Sequence, residues 1–470
     1  MLMTKQGESL VVIGGGPAGY VGAIRASQLG MSVTLVEEDR LGGTCLNVGC
    51  IPTKALLRSA EVLDLVRHAE DFGVPLDQAT VRPSLEAMVS RSQAIASKLS
   101  KGVAYLMKKH RVTVVSGRAR LAGLGYIDVE SPDGTKRRLE SKRVLIATGA
   151  RPRLLQHAMP DGKHIWTSRD ALEAKRVPAT LAVVGSGAIG MEFASFYCSL
   201  GSKVTVLEAQ SRILPTEDEE IVAVARKQCE KRGIEFVVGV SVDEVKAVKG
   251  GAELAYRLNG KTHQLKAEAV LMAVGIVPNS DDMGLETTAV KRDARGFIET
   301  DATCMTGEAG IYAVGDVTAG PWLAHKAMHE AVRAVESMAG LATHPSRPED
   351  VPGCIYMSPQ IASIGWTEAH AKSQGATLKV GRFSFGANGK ALALGEGEGL
   401  VKLLFDERTG TLLGAHMVGA EVTELIHSLV LARQLEATEI DIMRSIFPHP
   451  TLSEMIHEAT LDAWGGSLHG

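Results

Sequence analysis

Of the six cysteines in this 470-residue chain, only Cys45 and Cys50 lie close together, with Leu46-Asn47-Val48-Gly49 between them. The segment that follows, Ile51 to Ala69, has the apolar periodicity of a helix. Positions five apart on a regular helix point in different directions. A bond between the two sulfurs therefore needs a distorted first turn, which Gly49 and Pro52 can supply. Such a disulfide is more reducible than a relaxed structural bridge, and a helix N-terminus stabilises a thiolate. Redox work is the favoured reading. The residues alone leave three alternatives: a structural disulfide, two unrelated buried thiols, or half of a metal site. The last lacks a second Cys/His pair at a usual spacing. Cys198, Cys229, Cys304 and Cys354 stand alone and read as small apolar residues.

Upstream of the pair, residues 10–37 read LVVIGGGPAGYVGAIRASQLGMSVTLVE. Residues 181–208 repeat the pattern as LAVVGSGAIGMEFASFYCSLGSKVTVLE. Gly14 and Gly185, and Glu37 and Glu208, are each separated by 171 positions. Each copy has an apolar strand, a glycine turn, an amphipathic helix, a helix-stopping Gly and a second strand ending in Glu. That is one βαβ unit written twice. Gly14 and Gly185 permit the tight turn. Gly16 and Gly187 let the backbone approach a pyrophosphate, and Gly19 and Gly190 let helix pack on strand. Ala188 and Ile189 complete the second turn. The helix N-termini would meet phosphates with free N–H groups, and Glu37 and Glu208 can accept from ribose hydroxyls. Two such units suggest two cofactors, a held flavin and a diffusible nicotinamide. The Glu208 carboxylate favours NAD over NADP, although Arg212, four residues on, could serve a phosphate. Cys45 follows Glu37 by only eight positions, so a cofactor stretched out from the first turn would meet the cysteine pair.

These units need closing strands, and VLIATGARP (144–152) and VLMAVGIVPN (270–279) supply one each. Residues 86–109 have helical periodicity, and 118–140 alternate around DG turns as a β-meander does. After Pro345-Ser346-Arg347-Pro348 the chain carries strands (GLVKLLFDE, LLGAHMVG) and helices (EVTELIHSLVLARQ, SEMIHEATLDAW) but no glycine motif. The expected class is α/β, with two Rossmann-like three-layer domains and a C-terminal α+β domain. Net charge is −3, which disfavours nucleic acid. No apolar run approaches the roughly 20 residues of a membrane span. The N-terminal MLMTKQGESL lacks the pattern of a secretory leader, so a cytoplasmic protein is expected.

Taken together, these residues resemble the flavoprotein disulfide reductases over essentially the whole chain. The segments that carry the likeness are GGTCLNVGCIPTK (42–54), GIYAVGD (310–316), PWLAHKAMHE (321–330) and HPTLSE (449–454). The most similar branch is the one that oxidises dihydrolipoamide with NAD+, as the E3 component of 2-oxoacid dehydrogenase or glycine cleavage complexes. The resemblance implies tightly bound FAD and NAD+ as co-substrate. It makes Cys45 the thiol that meets substrate and Cys50 the one that faces the flavin. His449 becomes the acid/base, with Glu454 on its other ring nitrogen, and Lys54 and Glu192 an ion pair beside the flavin. Asp316 would bond the ribityl chain. Gly43, Thr44, Ala119, Thr148, Gly149 and Ala324 would lie near FAD, and Val242 and Gly275 near NAD. The implied domains are FAD-binding 1–150, NAD-binding 151–279, central 280–347 and interface 348–470. In this family His449 and Glu454 serve the other subunit, which implies a homodimer, with the lipoyl domain and E2 core of a complex as partners.

Three positions depart from the family pattern. Ala188 replaces a common aromatic gate, Phe447 stands where many relatives have a second His, and Ile276 replaces a common Arg. Rival readings remain. A glutathione-type reductase using NADPH conflicts with Glu208 and HPTLSE. A mercuric reductase would want a C-terminal cysteine pair, and the last cysteine is Cys354. A soluble transhydrogenase would not need both cysteines. A non-catalytic, FAD-bound scaffold would not need Cys45, Cys50, His449 and Glu454 together.

Overall fold

The interval that separates the two glycine motifs also separates the elements around them. Strand Ser9–Ile13, helix Pro17–Gln28 and strand Ser32–Glu37 recur as strand Thr180–Val184, helix Ala188–Ser199 and strand Lys203–Glu208. The computed structural model describes residues 8–345 and 347–469. They form two compact units, one from 8–56, 86–153 and 275–345, the other from 57–85, 154–274 and 347–469.

In the first unit a five-stranded parallel sheet runs Ile311–Ala313, Arg143–Ile146, Ser9–Ile13, Ser32–Glu37, Thr113–Ser116. Its central strands are apolar on both faces because helices cover one side and further chain the other. Helix Pro17–Gln28 buries Gly19, Gly22, Ala23 and Ala26, which lets helix Ala324–Met338 approach through Ala331 and Ala334. Arg25 and Glu336 pair at 2.5 Å across these helices. The long helix is Leu85–Lys109, burying Val89, Ala96, Val103 and Met107 at helical spacing. The expected meander is the antiparallel ribbon Arg118–Leu121, Tyr126–Glu130, Lys136–Glu140.

The second unit repeats the parallel sheet in the order Glu235–Val238, Lys203–Glu208, Thr180–Val184, Ala269–Met272, Ile165–Trp166. It adds a second meander, Ser241–Val248, Gly251–Leu258, Lys261–Ala267. It also holds an antiparallel five-stranded sheet, Gly353–Ile355, Gln360–Gly365, Leu412–Gly419, Leu400–Asp406, Leu378–Ser384. Helices Val422–Gln434 and Glu454–Ala463 pack on that sheet through Val422, Ile426, Met455 and Ile456. Among the described residues no helix is long and apolar enough to cross a membrane.

Candidate active site

The two glycine turns have the same geometry. Gly14 and Gly185 both have φ of +100°, and a Cβ at either would lie 2.3 Å from a carbonyl oxygen, that of Ala147 or Ala273. A Cβ at Gly19 would lie 1.8 Å from Gly14 O, and one at Gly190 2.1 Å from Gly185 O. The outer glycines are therefore demanded by the fold itself. The middle ones are not. Around Gly187 nothing comes within 4 Å of a Cβ, and around Gly16 only Gly43 Cα does, at 3.8 Å. Both face open space at the start of a helix, where backbone N–H groups favour an anion. The turns thus fit a dinucleotide pyrophosphate on structural grounds.

The strand-ending carboxylates bind those turns from behind. Glu37 accepts the N–H of Gly15 at 2.5 Å and of Asp39 at 2.8 Å. Glu208 accepts the Ser186 N–H at 2.9 Å, the Ser186 hydroxyl at 2.7 Å and the Gln210 N–H at 2.7 Å. Burial raises the Glu37 pKa against the pull of these N–H groups. Arg212, the one residue that kept a 2′-phosphate open, is otherwise engaged: its guanidinium donates to Glu217 O at 2.8 Å and Pro215 O at 2.7 Å.

From Glu37 the chain turns back under the first glycine turn. Gly42 N–H donates to Gly15 O at 2.8 Å, and a Cβ on Gly43 would come within 2.6 Å of Gly16 Cα. Short helix Gly43–Val48 carries Thr44 and Cys45. Gly49 interrupts it with φ −143° and ψ −116°, and helix Cys50–Arg67 starts at once. This is the distortion the five-residue spacing required. A Cβ on Gly49 would meet Thr44 O at 2.9 Å. Asn47 Nδ2 donates to Leu41 O and Gly43 O, and Thr53 Oγ1 to Gly49 O at 2.7 Å. Sequence reasoning missed these two clamps, although Asn and Thr beside a glycine turn are common local cappers.

The sulfurs are thiols here, and they are in contact. A hydrogen bond to Cys50, burial and the charge of Cys50 push the Cys45 pKa far up, with Lys54 opposing. The pair therefore disfavours a thiolate at Cys45. Cys50 opens an 18-residue helix, whose positive end favours a thiolate. Burial raises the pKa of Tyr20, also overlooked in the sequence.

The other residues expected near the first cofactor fall in the same unit. Thr148 Oγ1 donates to Asn279 O at 2.7 Å, and Asn279 Nδ2 returns a bond to Thr148 O at 2.9 Å. Gly149 has φ +68° with open space around it, Ala119 is buried on its meander strand, and Ala324 begins a helix. Asp316 lies in the short turn Gly315–Val317. Burial raises its pKa, and no hydrogen bond from another described residue holds its carboxyl. A half-buried carboxyl with no hydrogen-bond partner among the described residues fits a cofactor hydroxyl.

In the second unit Ala188 and Ile189 are exposed at the turn's mouth, and neither supplies a ring to cover it. Glu192, on the same helix, is 4% exposed and accepts the Tyr356 N–H at 3.0 Å. Its expected partner Lys54 belongs to the first unit, as does Gly275, while Val242 lies on the second unit's meander. Ile276 pairs with Pro152 in a two-stranded ribbon.

His449 Nδ1 meets Glu454 Oε1 at 2.9 Å, and Glu454 Oε2 accepts the Thr451 N–H at 2.8 Å. Burial works to raise the Glu454 pKa, but the Thr451 N–H and His449 outweigh it and the net shift is downward. The imidazole is 80% exposed, and its Nε2 receives no bond from the described residues. With Nδ1–H directed at the carboxylate, Nε2 is the proton acceptor. Phe447, two residues earlier, packs its ring 5.4 Å from that of His457, which bonds Met443 O at 3.1 Å. Phe447 thus anchors the approach to His449 instead of adding a second base.

A sequence profile described as pyridine nucleotide-disulphide oxidoreductase matches residues 8–331, and that family's dimerisation domain matches 351–460. A dihydrolipoyl dehydrogenase of Rhizobium etli is 50% identical over 478 residues, spanning 98% of each chain. One from Zymomonas mobilis is 47% identical over 465 residues, again 98% of each. The crystal structure of LpdA from Mycobacterium tuberculosis superposes with a TM-score of 0.90 at 28% identity, covering 96% of this chain and 99% of that one.

Proposed function

The chain belongs to the pyridine nucleotide-disulphide oxidoreductases, and from that premise we infer that it oxidises dihydrolipoamide to lipoamide at Cys45 and Cys50, passing the electrons through FAD to NAD+. The observation that carries this reading is the contacting cysteine pair, hung by the Gly42–Gly15 bond directly from a dinucleotide turn. FAD would be held by Gly14, Gly16, Gly19, Glu37, Gly43, Thr148 and Asp316, and NAD+ by Gly185, Gly187, Gly190 and Glu208. Bound FAD supplies the two-electron step between dithiol and nicotinamide.

The chain's own residues handle thiols and protons. His449 Nε2 takes the proton from a substrate thiol, and the resulting thiolate attacks Cys45 of the Cys45–Cys50 disulfide. A mixed disulfide forms at Cys45, and Cys50 leaves as thiolate at its helix N-terminus. The second substrate thiol then attacks the substrate sulfur of the mixed disulfide, its proton passes to the departing Cys45 sulfur, lipoamide leaves, and His449 keeps the first proton against the Cys50 thiolate. The hydrogen bond to Cys50 disfavours a thiolate at Cys45, so the negative charge of the dithiol lies toward Cys50. Glu454 holds the imidazole tautomer throughout. The roles of Lys54 and Glu192 that the resemblance implies belong to the same proposal, as do the four domain limits drawn from it.

The active form is a homodimer in which His449 and Glu454 serve the cysteines of the second copy. The dimerisation-domain match and the outward-facing Nε2 of His449 support this. The protein works in the cytoplasm, and its reducing partners are lipoyl domains on an E2 core of a 2-oxoacid dehydrogenase complex. The test is NADH formation from NAD+ and dihydrolipoamide by FAD-loaded protein, expected to vanish in Cys45→Ser. Turnover of NADPH with glutathione disulfide, and none of dihydrolipoamide, would sink the substrate assignment.

A further inference from the structure

Helix Ala324–Met338 of the first unit carries an ion pair that the steps above do not use. Lys326 Nζ and Glu330 Oε1 lie 2.8 Å apart, one helical turn from each other, with side chains only 9% and 12% exposed. Each partner also makes one bond to backbone, and the two bonds go to opposite ends of the same turn. Glu330 Oε2 accepts the Gly315 N–H at 2.9 Å, and Lys326 Nζ donates to Ala319 O at 2.7 Å. Asp316 stands between those two points.

The rest of the turn is equally constrained. Thr318 gives both its N–H and its hydroxyl to Gly315 O, at 2.9 and 2.7 Å, and Trp322 Nε1 donates to Thr318 O at 3.1 Å. Gly315 has φ +77°, and a Cβ there would lie 3.1 Å from Ala327 Cβ and 3.5 Å from Ala18 Cβ. The turn is therefore wedged between the helix of the ion pair and the helix of the first glycine motif. The Asp316 carboxyl itself has no hydrogen-bond partner among the described residues. A buried ion pair costs desolvation and is a weak device for stability alone. One that grips both ends of a single functional turn is better explained by the turn.

We propose that Lys326 and Glu330 are positioning residues for the flavin: their ion pair fixes the Gly315–Ala319 turn so that Asp316 meets the cofactor's sugar-alcohol chain in one geometry. This rests on the FAD assignment above. The pair also sets the local charge. Lys326 balances the two carboxylates of Glu330 and Asp316, so its removal leaves Asp316 facing a like charge.

The test is a double-mutant cycle read by FAD affinity, from flavin release on dialysis and from reconstitution of apoprotein, not by activity. Lys326→Met and Glu330→Gln are each expected to weaken FAD binding about tenfold or more, the usual cost of losing a group that orients a ligand contact. Lys326→Arg, which keeps the charge, should bind FAD nearly as wild type does. In an Asp316→Ala background, Lys326→Met should cost nothing further, because the contact it positions is already gone. Equal losses in both backgrounds, or single variants with wild-type affinity and a fall only in the apoprotein's thermal midpoint, would overturn the positioning role and leave the FAD assignment standing. Wild-type protein that takes up no FAD would overturn both.

Discussion

Glu454 grips His449 by Nδ1 at 2.9 Å while its second oxygen takes the Thr451 N–H at 2.8 Å, so one carboxylate fixes both the ring and the backbone that carries it. Glu454→Gln keeps the shape and loses the charge. We expect kcat/KM for dihydrolipoamide to fall by about 10- to 100-fold, with a smaller change in FAD content. The acid side gives a second check. Glu454 titrates below its ordinary 4.5 in the fold. Its stabilising contribution is therefore complete above that value and is lost as pH falls through the lower, folded one. The thermal midpoint of Glu454→Gln should depend less on pH than that of the parent between about pH 3 and pH 5. An identical acid slope would mean that the pair is not formed in solution.

The asymmetry of the cysteines is open to a spectroscopic check. The hydrogen bond to Cys50 and burial push the Cys45 thiol up, while Cys50 begins a helix whose positive end favours a thiolate. In FAD-loaded, half-reduced protein, Cys50→Ser should lose the long-wavelength charge-transfer absorbance, and Cys45→Ser should keep it. Retention of the band in Cys50→Ser reverses the two roles.

The glycines separate folding from binding. Gly19→Ala drives a methyl to 1.8 Å from Gly14 O, and Gly190→Ala to 2.1 Å from Gly185 O. Both should lower the thermal midpoint and the yield of folded protein. Gly187→Ala meets no atom within 4 Å. It should fold with an unchanged midpoint and show a raised KM for NAD+. A destabilised Gly187→Ala would mean that the open space at the turn is already filled by protein.

Much of this geometry was legible in the residues because it is local. The repeat interval predicts both βαβ units element by element, and the break at Gly49 follows from two cysteines that cannot meet on a regular helix. What stayed hidden depends on distant chain. Residues 57–85, which continue directly from the cysteine helix in the sequence, group with the second unit. The meander over 241–267 went unread, although Asn259 and Gly260, both at positive φ, form its hairpin turn. Lys326 and Glu330 sit in a quoted motif, but their i,i+4 spacing looks like an ordinary solvated pair until the Gly315 turn is seen beneath them.

Cofactor choice follows from Glu208 and Arg212. The carboxylate is 8% exposed and held by three donors, and the guanidinium is spent on two carbonyls. A 2′-phosphate would find repulsion from Glu208 and an Arg212 already bonded to carbonyls. NAD+ should be preferred over NADP+ in kcat/KM by about 100-fold or more, and Glu208→Ala should narrow that ratio mainly by weakening NAD+. Comparable use of both nucleotides by the parent would show that the guanidinium can leave its carbonyls.

The second unit also carries a charge cluster whose effect on stability has a definite sign. Lys402 is 3% exposed in its side chain, and its Nζ lies 2.8 Å from Asp218, 2.7 Å from Glu368 and 3.1 Å from Glu220. Burial opposes the charge of Lys402, but the three carboxylates outweigh it and raise its pKa. Asp218 and Glu368 are held down by the same contacts. Lysine's share of the stabilisation is thus present below its ordinary 10.5 and fades as pH rises through the folded value. The carboxylates' share is present above about pH 4 and fades as pH falls. Lys402→Met leaves three carboxylates facing one another around an apolar chain. At neutral pH the loss should be about 3–5 kcal/mol, the usual cost of breaking a buried pair from one side, visible as a lower thermal midpoint. Acid should then narrow the gap between parent and variant, because protonation removes the repulsion in one and the attraction in the other. A gap that stays constant down to about pH 2, below the ordinary carboxylate range, would mean that Lys402 acts through packing rather than charge.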